Sequence, residues 1–225
     1  MIPTRMRERI PSRLRRATRD SMALLQTLGR SSRRLIQVFT LRRSRTSDYA
    51  RWSDADNLHA WWHERTIKLA ALVPPGSAVI EFGAGRRQLE ALLERPARYV
   101  PSDLVDRGPG TVICDLNARP LPALADFDVD VAVFSGVFEY VVDVPAIVEW
   151  LGGSVTHVVT SYASVADGAD PIGRTRAHVE RLENGYMNHY TREQFIGVFA
   201  AHGFTPDAAD VWESQDLFRF TKRRV

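Results

Sequence analysis

Short apolar runs alternate with amphipathic segments along most of the chain. Runs of mainly apolar residues predict buried strands, which cover residues 78–82, 98–101, 111–114, 129–134 and 155–160. Apolar positions at helical spacing predict helices, which cover residues 48–72, 88–94, 144–151 and 191–202. Two final apolar stretches, 208–212 and 217–221, fit a closing antiparallel pair. This alternation predicts an α/β fold: a doubly wound, mostly parallel seven-stranded sheet with an antiparallel last strand and helices on both faces.

Charge divides the chain into two parts. Residues 1–45 contain thirteen arginines and two acidic residues, so they carry about +11, although the whole chain carries only +3. Residues 46–225 are therefore acidic, at about −8. We predict a basic N-terminal extension at 1–45 and one folded domain at 46–225, with a long insertion at about 162–190.

The extension contains a basic amphipathic segment at 21–41, where Leu25, Leu28 and Phe39 alternate with arginines. Such a segment can lie on an anionic membrane surface or fold back on a partner. Its composition, rich in arginine and serine and poor in acidic residues, is also typical of a mitochondrial transit peptide. The remaining interpretation is a mobile basic extension with no further role.

Composition favours a cytoplasmic protein that can reach the inner membrane surface through residues 1–45. The sequence has no apolar stretch of the roughly 18 residues that span a bilayer, and its N-terminus lacks the apolar core of a signal peptide. The single cysteine, Cys114, excludes an internal disulfide framework. Because Cys114 lies in an apolar run, we expect a buried thiol rather than a nucleophile.

A glycine turn follows the first predicted strand. Gly83 and Gly85 allow the backbone to turn tightly and to approach a ligand without a Cβ atom in the way. Asp103 comes 22 positions after Glu81, just past the second strand, where a carboxylate can accept hydrogen bonds from a ribose diol. Asp115 follows the third strand and could bond an adenine amino group. The spacing predicts a nucleoside site at the carboxyl ends of the strands.

These residues together resemble the class I S-adenosylmethionine-dependent methyltransferases, particularly the small-molecule branch. Residues 81–85 match the first motif of that family, Asp103 its ribose-binding acid, and Asp115 with Leu116 the acid beside adenine. Residues 135–140 look like the motif after its fourth strand, and residues 189–204 look like its late helix and the turn that follows.

The resemblance covers about residues 50–221 and implies a Rossmann-like fold with S-adenosylmethionine as methyl donor and S-adenosylhomocysteine as product. It implies these cofactor-binding residues: Glu81, Phe82, Gly83, Ala84, Gly85, Asp103, Leu104, Asp115, Leu116, Ser135 and Gly136. Two positions depart from the family pattern. Arg87 stands where a third glycine is common, and Tyr140 stands where many relatives have histidine.

The acceptor is expected to be a small molecule, a glycan or a lipid-linked intermediate, methylated at oxygen. A hydroxyl acceptor needs a base, which typically adds a factor of about 10²–10⁴. His189 is the leading candidate because it lies in a polar, aromatic-rich stretch that the family often uses to contact its acceptor. Glu139 and Tyr140 follow as candidates, and the 162–190 insertion suggests a lid over the acceptor.

Other functions fit the sequence less well. A nicotinamide enzyme needs a glycine three positions after Gly85, where the chain has Gln88. His59 and His63 share a helical face but lack an obvious third ligand, so no metal site is expected. The acidic domain would repel a phosphate backbone, so we do not expect nucleic acid as partner, and an RNA methyltransferase stays an alternative. A catalytically silent scaffold protein with this fold is the alternative outside enzymes.

Overall fold

The computed structural model describes residues 33–166 and 171–223. The prediction for residues 21–32 lies outside this range. Residues 33–44 form a helix, α1, which packs on the domain through the fully buried Val38. Arg45, just past this helix, pairs with Asp143 at 2.6 Å. The described end of the basic extension is therefore held against the domain.

Seven strands form one sheet in the order β3-β2-β1-β4-β5-β7-β6. The strands are β1 (Ala78–Phe82), β2 (Arg98–Asp103), β3 (Val112–Ile113), β4 (Val131–Phe134), β5 (His157–Tyr162), β6 (Phe204–Trp212) and β7 (Gln215–Lys222). The first five run parallel, and β7 is antiparallel to both of its neighbours. The predicted fold class and its antiparallel closing strand are confirmed.

The helices begin and end at residues suited to those places. They are α2 (Tyr49–Ser53), α3 (His63–Leu72), α4 (Val144–Gly152), α5 (Pro171–Glu183) and α6 (Arg192–Ala201). Asp143 caps α4 by accepting a hydrogen bond from the Ala146 amide. Thr191 and Gln194 form a reciprocal capping box at the start of α6. Gly203, with φ of +81°, ends α6 and turns the chain into β6.

The helix predicted at 88–94 is wrong. This segment forms a single turn, in which the Leu92 and Leu93 amides donate to the Leu89 carbonyl. Left-handed backbone at Arg87 (φ +55°) and Arg95 (φ +44°) interrupts the chain on both sides. The apolar spacing suggested a helix, but a single turn is enough to bury Leu89 against the sheet.

Apolar side chains fill both faces of the sheet. The core between the sheet and helices α4 and α6 contains most of the buried aromatics, among them Phe134 of β4, Phe195 of α6 and Phe220 of β7. The opposite face packs against α3 through Leu69 and includes Trp212. Cys114 is 7 % exposed, which agrees with the expected buried thiol. Among the described residues, no helix is long and apolar enough to cross a membrane.

Candidate active site

A cleft of about 400 Å³ opens at the carboxyl ends of β1 and β4. The chain leaves these two neighbouring strands in opposite directions along the sheet, toward β2 and toward β5. Sheets of this kind bind ligands at such a switch point, because the loops diverge there and leave a crevice. Segments distant in sequence complete the walls, including the α2 region, residues 184–186 and the β6–β7 turn.

The glycine turn after β1 lines the cleft. Gly83 has φ of +70° and Gly85 has φ of +52°, both in the left-handed region. A Cβ atom on Gly83 would lie 2.6 Å from Val137 Cγ2, so only glycine fits the turn beside the β4 loop. Phe82 and Ala84 also line the cleft. The turn thus presents bare backbone to a ligand.

Asp103 lies at the cleft wall with its carboxylate bonded to the glycine turn. Its Oδ2 accepts from the Gly85 amide at 2.8 Å, and its Oδ1 accepts from the Leu104 amide at 2.7 Å. Arg107 Nη2 donates to the same Oδ1 at 3.3 Å, while Arg107 Nε lies 3.3 Å from Oδ2 without hydrogen-bond geometry. Asp103 and Leu104 both line the cleft, where the sequence places a ribose site.

Asp115 takes a different role from its neighbours. Its Oδ1 accepts from the Ser47 hydroxyl at 2.6 Å and from the Asn117 amide at 2.8 Å. The cleft itself is lined by Cys114, Leu116 and Asn117, and Ser47 joins them from the N-terminal segment. Oδ1 of Asp115 is thus occupied by contacts within the protein. The adenine contact of Asp115 stays a prediction.

Arg87, the departure from the family pattern, turns away from the cleft. Its guanidinium pairs with Glu90 at 2.9 Å and donates to the Pro109 carbonyl at 2.8 Å. Arg86 does line the cleft, but its Nε donates to the Leu58 carbonyl at 2.9 Å. The side chain at 87 therefore leaves the glycine turn open.

The cleft lining also includes a buried carboxyl group beside two tyrosines. Glu139 is 1 % exposed, and its Oε1 accepts from the Ala163 amide at 2.8 Å. Its Oε2 is buried without a partner, and burial raises the pKa of this carboxyl. Tyr140 and Tyr186 flank it with ring centroids 5.5 Å apart, and both line the cleft. Glu139 and Tyr140, both candidate catalytic residues in the sequence, line the cleft together with Tyr186.

His189 lies outside the set of residues that line this cleft. Its Nδ1 accepts from Arg181 Nε at 3.2 Å, and its ring is 4.2 Å from that of His178. Burial, His178 and Arg181 lower the pKa of His189 to about 4. The structure instead places His189 behind Arg181, in a separate depression with Arg42 and Gln194.

Glu81 begins the first motif and is buried in the cleft floor. Its carboxyl accepts from the Tyr99 hydroxyl at 2.5 Å. Burial raises the pKa of Glu81 to about 8, although the Tyr99 hydrogen bond opposes that shift. The side chain can therefore be protonated near neutral pH.

Buried polar atoms without partners concentrate at this cleft. Among the described residues, nine side-chain atoms are buried with no hydrogen-bond partner, and six of them belong to cleft residues. These six residues are Trp52, Arg65, Arg107, Ser135, Glu139 and Trp212. Because unpartnered polar groups are costly to bury, the concentration points to a polar ligand. The described residues contain no cluster of three side chains suited to a metal ion.

Comparison with known proteins gives matches only to solved structures, since neither protein-family models nor curated proteins match this chain. One match is a chain of the complex between the Haloferax volcanii Trm112 methyltransferase activator and the putative methyltransferase. It has 14 % identity over 79 % of this chain and 97 % of that chain, with a TM-score of 0.58. Another is an S-adenosylmethionine-dependent methyltransferase from Mesorhizobium loti, with 18 % identity over 69 % and 96 % and a TM-score of 0.53.

A third similar structure is the mitomycin 7-O-methyltransferase MmcR, with 12 % identity over 86 % of this chain and 68 % of that chain and a TM-score of 0.57. This chain has the class I methyltransferase fold. At these identities the likeness concerns the fold, and the chemistry of the cleft must be argued from its own residues.

Arg65 was missed by the sequence reasoning, although a signal for it existed. It lies on the buried face of α3, in helical register with Trp62 and Leu69, and is only 5 % exposed. A basic residue on the apolar stripe of a helix is unusual unless it has a partner. The carbonyl and amide groups it meets come from Ser135 and Gln215, which the sequence could not place beside it.

Proposed function

We propose that this protein transfers the methyl group of S-adenosylmethionine to a hydroxyl group of a small-molecule, glycan or lipid-linked acceptor. The observation that carries the proposal is the joining, in one cleft, of a glycine turn and a ribose-type carboxylate with a buried carboxyl group. Gly83, Gly85, Asp103 and Glu139 all line this cleft. The methyltransferase fold supports the choice of donor.

The glycine turn and Asp103 suit the donor. The donor carries a nucleoside with a ribose diol, and it supplies an electrophilic methyl group on a sulfonium sulfur. Asp103 would accept from the diol, while Gly83 and Gly85 let the chain pass close to the ligand. Apolar side chains of Leu104 and Leu116 line the same wall and suit a flat base.

Glu139 suits the proton transfer. Methylation of a hydroxyl forms an oxygen–carbon bond as the carbon–sulfur bond breaks, its electron pair stays on sulfur, and the hydroxyl proton must go to a base. Glu139 has a free Oε2 in the cleft wall and a raised pKa, which favours proton uptake. Tyr140 and Tyr186 would bound the acceptor from both sides. Alignment of acceptor and methyl carbon supplies the larger share of catalysis, up to about 7–11 kcal/mol.

The structure weakens the arguments for a catalytically silent scaffold. One argument was that Arg87 would crowd the donor, but its side chain pairs with Glu90 outside the cleft. The other was the lack of a residue assigned as the base, and Glu139 can serve as that base. An RNA acceptor fits less well because residues 46–225 are acidic overall.

A membrane-surface contact fits α1. Ile36 and Phe39 are each 67 % exposed, three positions apart, and Arg33 and Arg43 extend the same exposed face. The opposite face of α1 is held against the domain by Val38. An anionic lipid surface complements both the apolar and the basic groups, and we propose it as the partner of this face.

Isothermal titration with S-adenosylhomocysteine tests the donor site. Micromolar binding by the wild type is expected, and Asp103→Ala should weaken it about 10- to 100-fold because a charged acceptor of the ribose diol is lost. Asp103→Asn keeps the shape and guards against misfolding. Asp106→Ala, at an exposed position in the same loop, should bind as wild type does. A folded wild type that does not bind would instead favour the scaffold.

A further inference from the structure

The inner face of α1 contacts the residue that precedes α2. Arg34 and Val38 lie one helical turn apart, on the side of α1 opposite its exposed apolar side chains. Arg34 Nη1 lies 2.5 Å from Asp48 Oδ2, and the Asp48 side chain is only 5 % exposed. Gln37 Nε2 donates to the other oxygen of the same carboxylate at 3.2 Å. A largely buried ion pair therefore joins α1 to the start of α2.

Asp48 holds the first turn of α2, which forms part of the cleft wall. Its backbone carbonyl accepts from the Arg51 and Trp52 amides, both at 3.1 Å. Arg51 and Trp52 line the cleft, and so does Ser47, whose hydroxyl donates to Asp115. None of the five residues of α2 is itself buried. The position of this wall therefore depends on polar contacts more than on apolar packing of its own.

Arg34 also contacts a second segment of the cleft wall. Its guanidinium and that of Arg51 pack against Gly185, which has φ of +82°, and a Cβ atom at that position would collide with both. Arg51 Nη1 donates to the Asn184 carbonyl at 2.7 Å. Asn184 and Tyr186, on either side of the glycine, line the cleft. Arg34 is thus in contact with two segments that are far apart in sequence and line one cleft.

We infer that Arg34 is a positioning residue that couples the lipid-facing side of α1 to the cleft. The inference rests on the proposed function, from which it takes the donor site and the anionic lipid surface. Two states of the chain carry the coupling. In one, α1 lies on the domain and Arg34 contacts both segments of the wall. In the other, α1 has left the domain and the carboxylate of Asp48 has lost its counter-ion.

Lipid and donor both favour the first state. A helix as short as α1 is marginal in water by itself, and a lipid surface that takes up its exposed face stabilises it as a helix with Arg34 toward the domain. The donor loses less conformational freedom when it binds walls that are already ordered. Two ligands that favour the same state raise the affinity of each other by the same factor.

Titration of the full chain with S-adenosylhomocysteine measures the coupling. Phosphatidylglycerol vesicles are expected to tighten binding by the wild type about 5- to 10-fold, the lower part of the range usual for coupled sites. Phosphatidylcholine vesicles, which lack the negative charge, should leave the affinity unchanged. Flotation with and without S-adenosylhomocysteine should give the same factor for vesicle binding. Arg95→Met, which removes an exposed positive charge distant in sequence from α1, should keep the tightening.

The variant that tests Arg34 combines Arg34→Met with Asp48→Asn, which removes the ion pair without leaving a buried charge unpaired. It keeps the exposed face of α1, so it should still float with phosphatidylglycerol vesicles, but the vesicles should no longer tighten its binding of S-adenosylhomocysteine. A merely structural loss would weaken binding equally with and without vesicles and leave their ratio as in the wild type. That result, or vesicles that bind the wild type without changing its affinity, overturns the inference.

Failure of the proposed function looks different from failure of this inference. A folded wild type that does not bind S-adenosylhomocysteine contradicts the donor site, and amide hydrogen exchange then decides the inference. Phosphatidylglycerol vesicles should slow exchange at residues 47–53 and 184–186 in the wild type but not in the double variant, and equal exchange in both overturns the coupling. A wild type that does not bind these vesicles contradicts the lipid partner and the inference together.

Discussion

Arg107 donates a hydrogen bond to Asp103 Oδ1 at 3.3 Å and also donates to the Trp52 carbonyl. Oδ1 already accepts from the Leu104 amide, and each carboxylate oxygen offers about two acceptor positions. With Arg107 in place, Oδ1 has no position left for a ribose hydroxyl. A diol that bonds both oxygens of Asp103 must therefore displace Arg107.

Arg107→Met should strengthen S-adenosylhomocysteine binding about three- to tenfold. The reason is that the wild type must break a charge-assisted hydrogen bond, worth about 1.5–3 kcal/mol, and regains part of that from the ribose. Titration calorimetry measures the change. Arg98→Met is the matched control, because Arg98 donates to the Phe127 carbonyl away from the cleft. Unchanged or weaker binding by Arg107→Met would contradict the proposal that Arg107 and the ribose diol compete for Asp103.

Glu81→Gln should change the pH dependence of stability. The folded protein holds a proton on Glu81 up to about pH 8, whereas the unfolded chain releases it near its ordinary pKa of about 4.3. Between those values the folded state binds more protons, so wild-type stability falls as pH rises.

The free energy of unfolding of Glu81→Gln should therefore increase relative to that of the wild type as the pH rises from 5 to 8, by up to about 1.4 kcal/mol for each pH unit. Urea unfolding at a series of pH values measures it, in the absence of ligand. Glu149→Gln, at an exposed helical position, should run parallel to the wild type. A constant difference between Glu81→Gln and wild type across that interval would show that Glu81 is ionised throughout.

Glu139→Gln should abolish methyl transfer but leave donor binding within threefold. A screen of hydroxyl acceptors that detects released S-adenosylhomocysteine gives the assay. Loss of the base is expected to lower kcat about 10²- to 10⁴-fold. His189→Gln is the comparison, and it should keep activity near wild type because His189 lies outside the cleft. The reverse pattern would restore His189 as the base and exclude Glu139.

Ile36→Glu combined with Phe39→Glu should weaken binding to anionic vesicles. These substitutions remove two exposed apolar side chains and add two negative charges to the basic face of α1. Flotation with phosphatidylglycerol vesicles measures the bound fraction, and phosphatidylcholine vesicles test the need for charge. Ile67→Glu, at an exposed position on α3, is the control. Equal flotation of the double variant and wild type would exclude this face.

The sequence by itself determined the elements that depend on neighbouring residues. Apolar runs located all seven strands, apolar positions at helical spacing located the last helix, and the glycines after β1 marked the turn that lines the cleft. These features are local, because apolar spacing and backbone conformation are set within a few residues. The same local reasoning went wrong at 88–94, where left-handed backbone at Arg87 and Arg95 limits the segment to one turn.

Only the tertiary structure decided which side chains share the cleft. Arg65 meets Gln215 across 150 positions, and Ser47 reaches Asp115 across 68. The sequence favoured His189 over Glu139 as the base, yet the fold buries Glu139 in the cleft wall and places His189 behind Arg181. Such pairings follow from how the helices pack on the sheet. The packing decides which partners each side chain meets, and the burial of a group decides the direction in which its pKa shifts. No spacing along the chain carries that information.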